Sequence, residues 1–458
     1  MYLVGFMKNI LILVATYGLL SINNLSFAAT ETELYLAMEQ QKKQLQVIEK
    51  QLAELKAAAS KTTTQQQKAI SNTANKNWQI NSYGSLIYKS EDVYSNIQDT
   101  SPERRSTTDL ERVVLEFVYD FDEKWQVEIE LEYEHGGTGS TLEYDGFEEF
   151  GEFETEIEAG GEVIVEKLQV KYNANEYFTL KMGHIFVPVG LGTDLHKPSQ
   201  YFSTQRHWSE ATLIPQVWHE TGINLISKWQ GFTAQTLITT GLNSEYFRTY
   251  NWAATGHQKR FEQVNADDLA FTLRLDYGDI KADKGLGISF YTGNTSGNRN
   301  NSTKVAGDGN LTIIGLHGAY SHDNWKVRGQ YLFGSLDNSQ AITNANKTTP
   351  GLKPGNFAQL GSEAESLFIE LAYNSQELFD LRKPLYLYTT YEYANPIKKV
   401  EQGIATDRFN QESIALGINY FPIENIVLKA QAAQQMNAQS NLDDSTSFSL
   451  SLGYFFSI

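Results

Sequence analysis

Two hydrophobic periods divide the chain. Leu34, Met38, Gln41, Leu45, Ile48, Leu52, Leu55 and Ala59 are spaced alternately four and three residues apart, the seam of a helix with a heptad repeat. A helix over residues 29–59 at ~1.5 Å per residue would reach about 40 Å. Its seam predicts self-association into a coiled coil, a trimer being favoured, although the seam residues do not choose between two and three helices. A single helix lying on a neighbouring barrel or on peptidoglycan is the alternative. Residues 60–76, SKTTTQQQKAISNTANK, are polar and of low complexity and predict a linker.

From Trp78 onward the period becomes two. In residues 124–135, KWQVEIELEYEH, the side chains of Trp125, Val127, Ile129, Leu131 and Tyr133 share one face. Gln126, Glu128, Glu130, Glu132 and Glu134 share the other, as in a strand between two different surroundings. The last residues repeat the pattern: Phe448, Leu450, Leu452, Tyr454, Phe456 and Ile458 alternate with small or polar partners. A strand at that place needs a neighbour, and a barrel supplies one by closing the last strand on the first.

A soluble sandwich would alternate in the same way, so the connectors decide. Short ones at 121–124, 173–176, 228–231, 322–324 and 421–425 alternate with long ones at 90–106, 136–161, 187–217, 244–265 and 336–362. Short turns at one end and long loops at the other is the arrangement of outer-membrane barrels. On that rule the chain is all-β, a transmembrane antiparallel β-barrel of about sixteen strands over residues 77–458. The strands centre on Tyr83, Leu115, Ile129, Val170, Leu180, Ile223, Leu237, Leu273, Ile288, Ile314, Val327, Ile369, Tyr388, Leu416, Leu428 and Leu452. Fourteen or eighteen strands are also compatible with the weaker alternation around Tyr83, Val170 and Tyr388.

The N-terminus points to the same compartment. Lys8 precedes an apolar run from Ile10 to Leu20, and Ser26-Phe27-Ala28 offers small residues for cleavage after Ala28, so residues 1–28 read as a signal peptide, with translation starting at Met1 or Met7. No later segment has the ~18 apolar residues of a membrane helix. The 458-residue chain carries a net charge of −18 and no cysteine. Removing residues 1–28 takes away one positive charge, that of Lys8, and leaves −19. That excludes disulfide and thiol chemistry and argues against a nucleic-acid partner, which needs a basic face. The 25 Tyr and 24 Phe suit aromatic girdles at two membrane interfaces.

Parity assigns the interior. Arg112, Glu116, Glu128, Glu130, Glu132, Lys167, Lys171, Arg274, Arg328, Glu370 and Lys429 fall on the polar side of their strands and are expected to line the pore. Facing acidic and basic walls would set up a transverse field; the blander alternative is cross-strand ion pairing worth ~1 kcal/mol or less per pair. The loop after the fifth strand, residues 187–217, carries Asp194, His196, Lys197, Arg206, His207 and Glu210, stiffened by Pro188, Pro198 and Pro215. It is the constriction candidate, an ordinary solvated surface loop being the alternative. The acidic stretch Glu143–Glu162 lacks the spacing of a calcium loop and reads as a solvated anionic loop meeting divalent ions at the lipopolysaccharide surface. No hydrolase or phosphate-binding motif occurs. His196, His207, Ser203 and Asp194 are the only material for an esterase, and neither enzyme activity nor a cofactor or metal is expected.

Several stretches resemble the legiobactin-type siderophore porins of Gram-negative bacteria: 110–135 (LERVVLEFVYDFDEKWQVEIELEYEH), 161–172 (GEVIVEKLQVKY), 178–191 (FTLKMGHIFVPVGL) and 206–223 (RHWSEATLIPQVWHETGI). The signal peptide and heptad helix extend the resemblance over most of the chain. It implies import of a ferric siderophore across the outer membrane through a barrel without an energy-coupled plug, and residues 29–76 are too few for a globular plug. It supplies no ligand-binding residues. Since such a ligand is anionic, Arg112, Lys167, Lys171, Arg274 and Arg328 are expected to provide a cationic path. A general or carbohydrate-selective porin, or a structural protein tethering the envelope through its helix, are the competing readings.

Overall fold

In the computed structural model, the described residues are Lys42 and residues 77–95, 99–142, 157–257, 264–300, 303–348 and 359–458. The expected signal peptide, heptad helix and linker lie outside them, apart from Lys42, and so does most of the acidic loop.

Sixteen strands follow one another: β1 (Trp78–Val93), β2 (Glu103–Asp120), β3 (Trp125–Leu142), β4 (Ile157–Asn173), β5 (Phe178–Phe186), β6 (His219–Trp229), β7 (Phe232–Thr240), β8 (Leu269–Asp279), β9 (Lys284–Asn294), β10 (Asn310–His322), β11 (Trp325–Leu336), β12 (Glu363–Asn374), β13 (Leu385–Lys399), β14 (Gln411–Ile423), β15 (Ile426–Asn437) and β16 (Ser445–Ser457). Each pairs antiparallel with its neighbours, and β16 returns to β1 to close the barrel. The closing seam runs from Asn81 opposite Ser457 to Glu91 opposite Ser447, so no edge strand is left unpaired. Each expected strand centre falls in its own strand, in order. The strands are less uniform than expected: β2 and β3 have 18 residues, whereas β5 and β7 have 9. The excess in β1–β4 continues the ladder into what the sequence marks as long loops.

The outward face carries Leu86, Ile223, Leu273, Ile314, Leu416 and Leu452, all exposed, as an apolar belt requires when lipid is the solvent. At the short-turn end aromatic rings meet across neighbouring strands. Trp78 lies 4.5 Å from Tyr119, Trp125 4.5 Å from Tyr172, Phe232 4.9 Å from Tyr277 and Trp325 4.8 Å from Tyr373. These form an interfacial girdle, where amphipathic rings are favoured. The two-residue hairpin β6–β7 turns on Gln230 and Gly231, both at positive φ (46° and 84°), the geometry of a primed turn.

The interior departs in one respect from the polar pore lining that parity leads one to expect. Towards the long-loop end, Tyr291 of β9, Leu311 and Ile313 of β10, Leu332 of β11 and Ala364 of β12 are buried in an apolar core. Leu213, Ile214 and Trp218 of the β5–β6 loop, Phe247 and Trp252 of the β7–β8 loop, and Ile342 of helix α1 (Ser339–Thr348) fill it from the loop side. Trp252 donates from Nε1 to the Gly361 carbonyl at 2.8 Å. Its ring lies where a side chain at Gly334 would begin, 2.2 Å from that position. Long loops thus fold back and pack as a globular core on one side of the bore.

Candidate functional site

The β5–β6 loop, residues 187–218, runs through the barrel interior. Val187, Val189 and Leu191 follow β5 into the bore fully buried, and the Val187 amide donates to the Trp218 carbonyl at 2.8 Å, which pins the two ends together. Between them the loop meets wall strands around much of the circumference. Arg274 of β8 donates to the Gly190 carbonyl at 2.9 Å and pairs with Asp194 at 2.6 Å. The Leu191 amide donates to Gln330 of β11, and Arg112 of β2 to the His196 carbonyl. Lys429 of β15 donates to the carbonyls of Tyr201 and Ser203, both at 2.8 Å. Thr204 hydrogen-bonds Ser449 of β16 at 2.7 Å, and Trp208 Nε1 donates to Ser413 of β14 at 2.9 Å.

His207 sits between two carboxylates of the wall. Nε2 lies 3.2 Å from Glu370 of β12 and Nδ1 3.3 Å from Glu392 of β13, while the ring stacks on Phe368 with centroids 3.7 Å apart. Glu370 also accepts from the Phe202 amide at 3.1 Å, and Glu392 from Ser209 N and Oγ at 3.0 and 2.9 Å. Burial works against the imidazolium, but the two carboxylates outweigh it and hold the His207 pKa up to about 10. The link is at full strength below about pH 6.5, the ordinary histidine value. It weakens as pH climbs and is lost above about 10. His207→Asn should therefore lower the thermal midpoint of the folded barrel most below pH 6.5 and hardly at all beyond pH 10. Heat-modifiable gel migration across that range checks it, and a deficit independent of pH would refute it.

The charged residues assigned by parity all point inward, and the structure shows what each touches. Lys167 sits among Glu116, Glu130 and Glu128 at 2.6, 2.8 and 3.3 Å, and Arg112 faces Glu132 at 3.5 Å. Lys171 reaches Gln126 at 3.4 Å. Arg274 pairs with Asp276 as well as Asp194, and Arg328 with Asp283 at 2.7 Å. The expected cationic path is corrected accordingly: Arg112, Lys167, Arg274 and Arg328 are each engaged by a carboxylate, supplied by neighbouring strands for Arg112 and Lys167 and by the same strand, the β5–β6 loop or the β8–β9 turn for Arg274 and Arg328. Arg206, half-buried in the loop, makes no ion pair among the described residues.

Two interior carboxylates escape parity. The β3–β4 register shifts between Glu130 and Leu131, a bulge that turns both Glu166 and Lys167 inward, where Glu166 is 1% exposed. The sequence signal is the doublet Val165-Glu166-Lys167-Leu168, which breaks alternation. Asp283 reaches in from the β8–β9 turn, with Lys326 and Arg328 both at 2.7 Å, and no periodicity marks it. Of the esterase-like set, Ser203 donates to the Gln205 carbonyl and His196 Nδ1 to Thr193, while His207 is held by carboxylates. Lys197 lies over the Tyr83 ring at 5.4 Å, and the Glu210 carboxylate packs against Gly192.

The loop separates two cavities. One of about 700 Å³ opens at the short-turn end, bordered by Lys181, Asp194, Lys228, Trp229, Asp276 and Lys281. One of about 150 Å³ opens at the long-loop end beside β1 and β14–β16. A gap of about 20 Å³ beside Tyr201, Arg206, His207 and Glu370, room for a single water, lies within the loop.

No protein-family model matches the chain. A protein of Aquifex aeolicus (strain VF5), described as uncharacterized, is 26% identical over 367 residues, or 78% of this chain and 75% of that one. Among solved structures, Salmonella typhi OmpF in complex with daunomycin aligns with a TM-score of 0.51 at 11% identity, covering 82% of this chain and 97% of that chain. The outer membrane channel DcaP of Acinetobacter baumannii aligns at 0.48 and 11% identity, again over 82% and 97%. The fold is that of an outer-membrane porin, a closed sixteen-strand antiparallel barrel.

Proposed function

We propose that this protein is a Gram-negative outer-membrane porin passing a small solute by passive or facilitated diffusion, with residues 29–59 as a coiled coil in the periplasm. The observation that carries this reading is the pairing of an apolar outer belt with a charged interior crossed by the β5–β6 loop. A barrel whose only role was anchorage has no use for charged groups held in the bore. The inward residues from Arg112 to Lys429 act as the pore lining and the loop from Asp194 to Glu210 as the constriction. No catalytic step or cofactor enters this reading. Homotrimers, lipopolysaccharide at the outer rim and peptidoglycan beneath complete it.

A ferric siderophore is the solute we favour. Support comes from the sequence resemblance, and from where it falls: residues 178–191 lead into the constriction loop and 206–223 lead out of it. The carbohydrate-selective alternative draws on the neutral side chains Ser413, Gln431, Ser447 and Ser449 of β14–β16 that border the outer cavity. In planar bilayers the purified protein should conduct ions, and a ferric siderophore should interrupt the current at lower concentration than sugars of similar size. A protein without conductance sinks the porin reading; equal interruption by sugars moves the assignment to a general porin. Deleting residues 30–76 should leave single-channel conductance intact, whereas a protein that is chiefly a tether would lose envelope attachment and nothing else.

A further inference from the structure

We infer that solutes cross the outer half of the barrel through an eccentric port beside β1 and β14–β16, and that Arg206 at its floor makes the port a site for anions rich in hydrogen-bond acceptors, carboxylates above all. The inference rests on the porin reading and deepens it. One side of the bore is closed by the apolar core, in which Tyr291, Ile313 and Leu332 of the wall and Trp252 of the β7–β8 loop are 0% exposed. The outer cavity lies further round the wall, against β1 and β14–β16.

Its chemistry follows from which groups are already used. Of the charges around it, Lys89 and Glu91 pair with each other at 2.5 Å. Asp92 accepts from Thr446 N and Oγ1 at 2.8 and 2.7 Å, and Glu392 is taken by Ser209. Arg206 alone among them carries no ion pair among the described residues, and it borders both this cavity and the small gap inside the loop. The neutral wall is biased the same way. Gln431, on the cavity lining, spends its carbonyl oxygen on the Thr204 amide (3.2 Å) and the Tyr388 hydroxyl (2.9 Å), which leaves its amide hydrogens as the groups it can offer a ligand. Ser413 accepts from Trp208 Nε1 at 2.9 Å, which leaves its hydroxyl free to donate. Folding the loop inward thus consumes acceptors and leaves donors, together with the Arg206 guanidinium, which Glu132, Glu166 and Glu210 attract only at longer range and which is suited to bidentate carboxylate binding. A sugar track would need successive aromatic faces, and Trp208 is the single aromatic ring on this cavity's lining among the described residues.

The chain has no cysteine, so single cysteines can map the route. In bilayers, Ser447→Cys should be closed by an anionic methanethiosulfonate reagent at least fivefold faster than by a cationic one, while Ile313→Cys stays unreactive. L-malate should block the wild-type current at lower concentration than putrescine or glucose. Arg206→Gln should weaken the malate block at least fivefold and Arg206→Lys less, heat-modifiable migration confirming that each variant folds. A wild type that conducts no ions overturns the porin reading and this inference with it. A conducting wild type in which Ile313→Cys reacts as fast as Ser447→Cys, or in which Arg206→Gln leaves the malate block unchanged, overturns this inference alone.

Discussion

Glu370→Ala should unfasten the constriction loop and raise single-channel conductance severalfold, with a noisier open state. Glu370 is 1% exposed and holds three groups at once: the Phe202 amide at 3.1 Å, His207 at 3.2 Å and Arg328 at 3.6 Å. Removing one partner of a buried ion pair costs roughly 3–5 kcal/mol, because the remaining charges are left without compensation. That loss shows first as release of the loop, because the backbone ladder of the barrel does not pass through this side chain. Local release of a segment is the expected response when one part of a structure is held less firmly than the rest. Glu370→Gln keeps an acceptor for the Phe202 amide and should have a smaller effect. Trypsin provides a second reading, since the bond after Arg206 is shielded while the loop is packed. Wild-type conductance together with an uncut Arg206 in the alanine variant would mean that the loop is not held as described.

Gly183→Ala should prevent the barrel from assembling, so that no heat-modifiable folded species appears. Gly183 on β5 has φ +124°, a conformation closed to side chains in practice, and a Cβ there would lie 2.2 Å from the Leu168 carbonyl on β4. Its partner across the β5–β6 ladder is Gly222, where an added Cβ would come 2.2 Å from the Ile238 carbonyl on β7. Two glycines therefore face each other where four backbones crowd together, on the strands that feed and receive the constriction loop. Backbone atoms cannot swing aside as a side chain can, so the strands would have to separate. The β4–β5 seam is short to begin with, from Leu168 opposite His184 to Asn173 opposite Thr179. A Gly183→Ala protein with the wild-type thermal midpoint would refute this.

Where each strand lies was legible because lipid and interior impose opposite demands on successive residues. Leu416 outward and Ala415 inward on β14 differ for that reason, and the same contrast located every strand from Tyr83 to Leu452. The exceptions have separate causes. The Glu166 bulge breaks parity by one residue, and a doublet of charges records it. The apolar core also left a trace: Ile313-Ile314 on β10 and Leu332-Phe333 on β11 are apolar on both faces, which a strand facing water does not need to be. Asp283 left none, because a turn residue reaching into the bore obeys no period.

By itself, then, the sequence determined the barrel: the strand order, the side that strand residues face outside the Glu166 bulge and the end that bears the long loops all follow from local alternation and turn chemistry. Tertiary structure alone decided what occupies the bore. Whether the 187–218 loop lies outside in water or inside among Glu370, Glu392 and Lys429 depends on partners 150 or more residues away in sequence. No local pattern encodes such pairings, because burying a charged loop is favourable only once the closed barrel presents a matching charge at each point of contact.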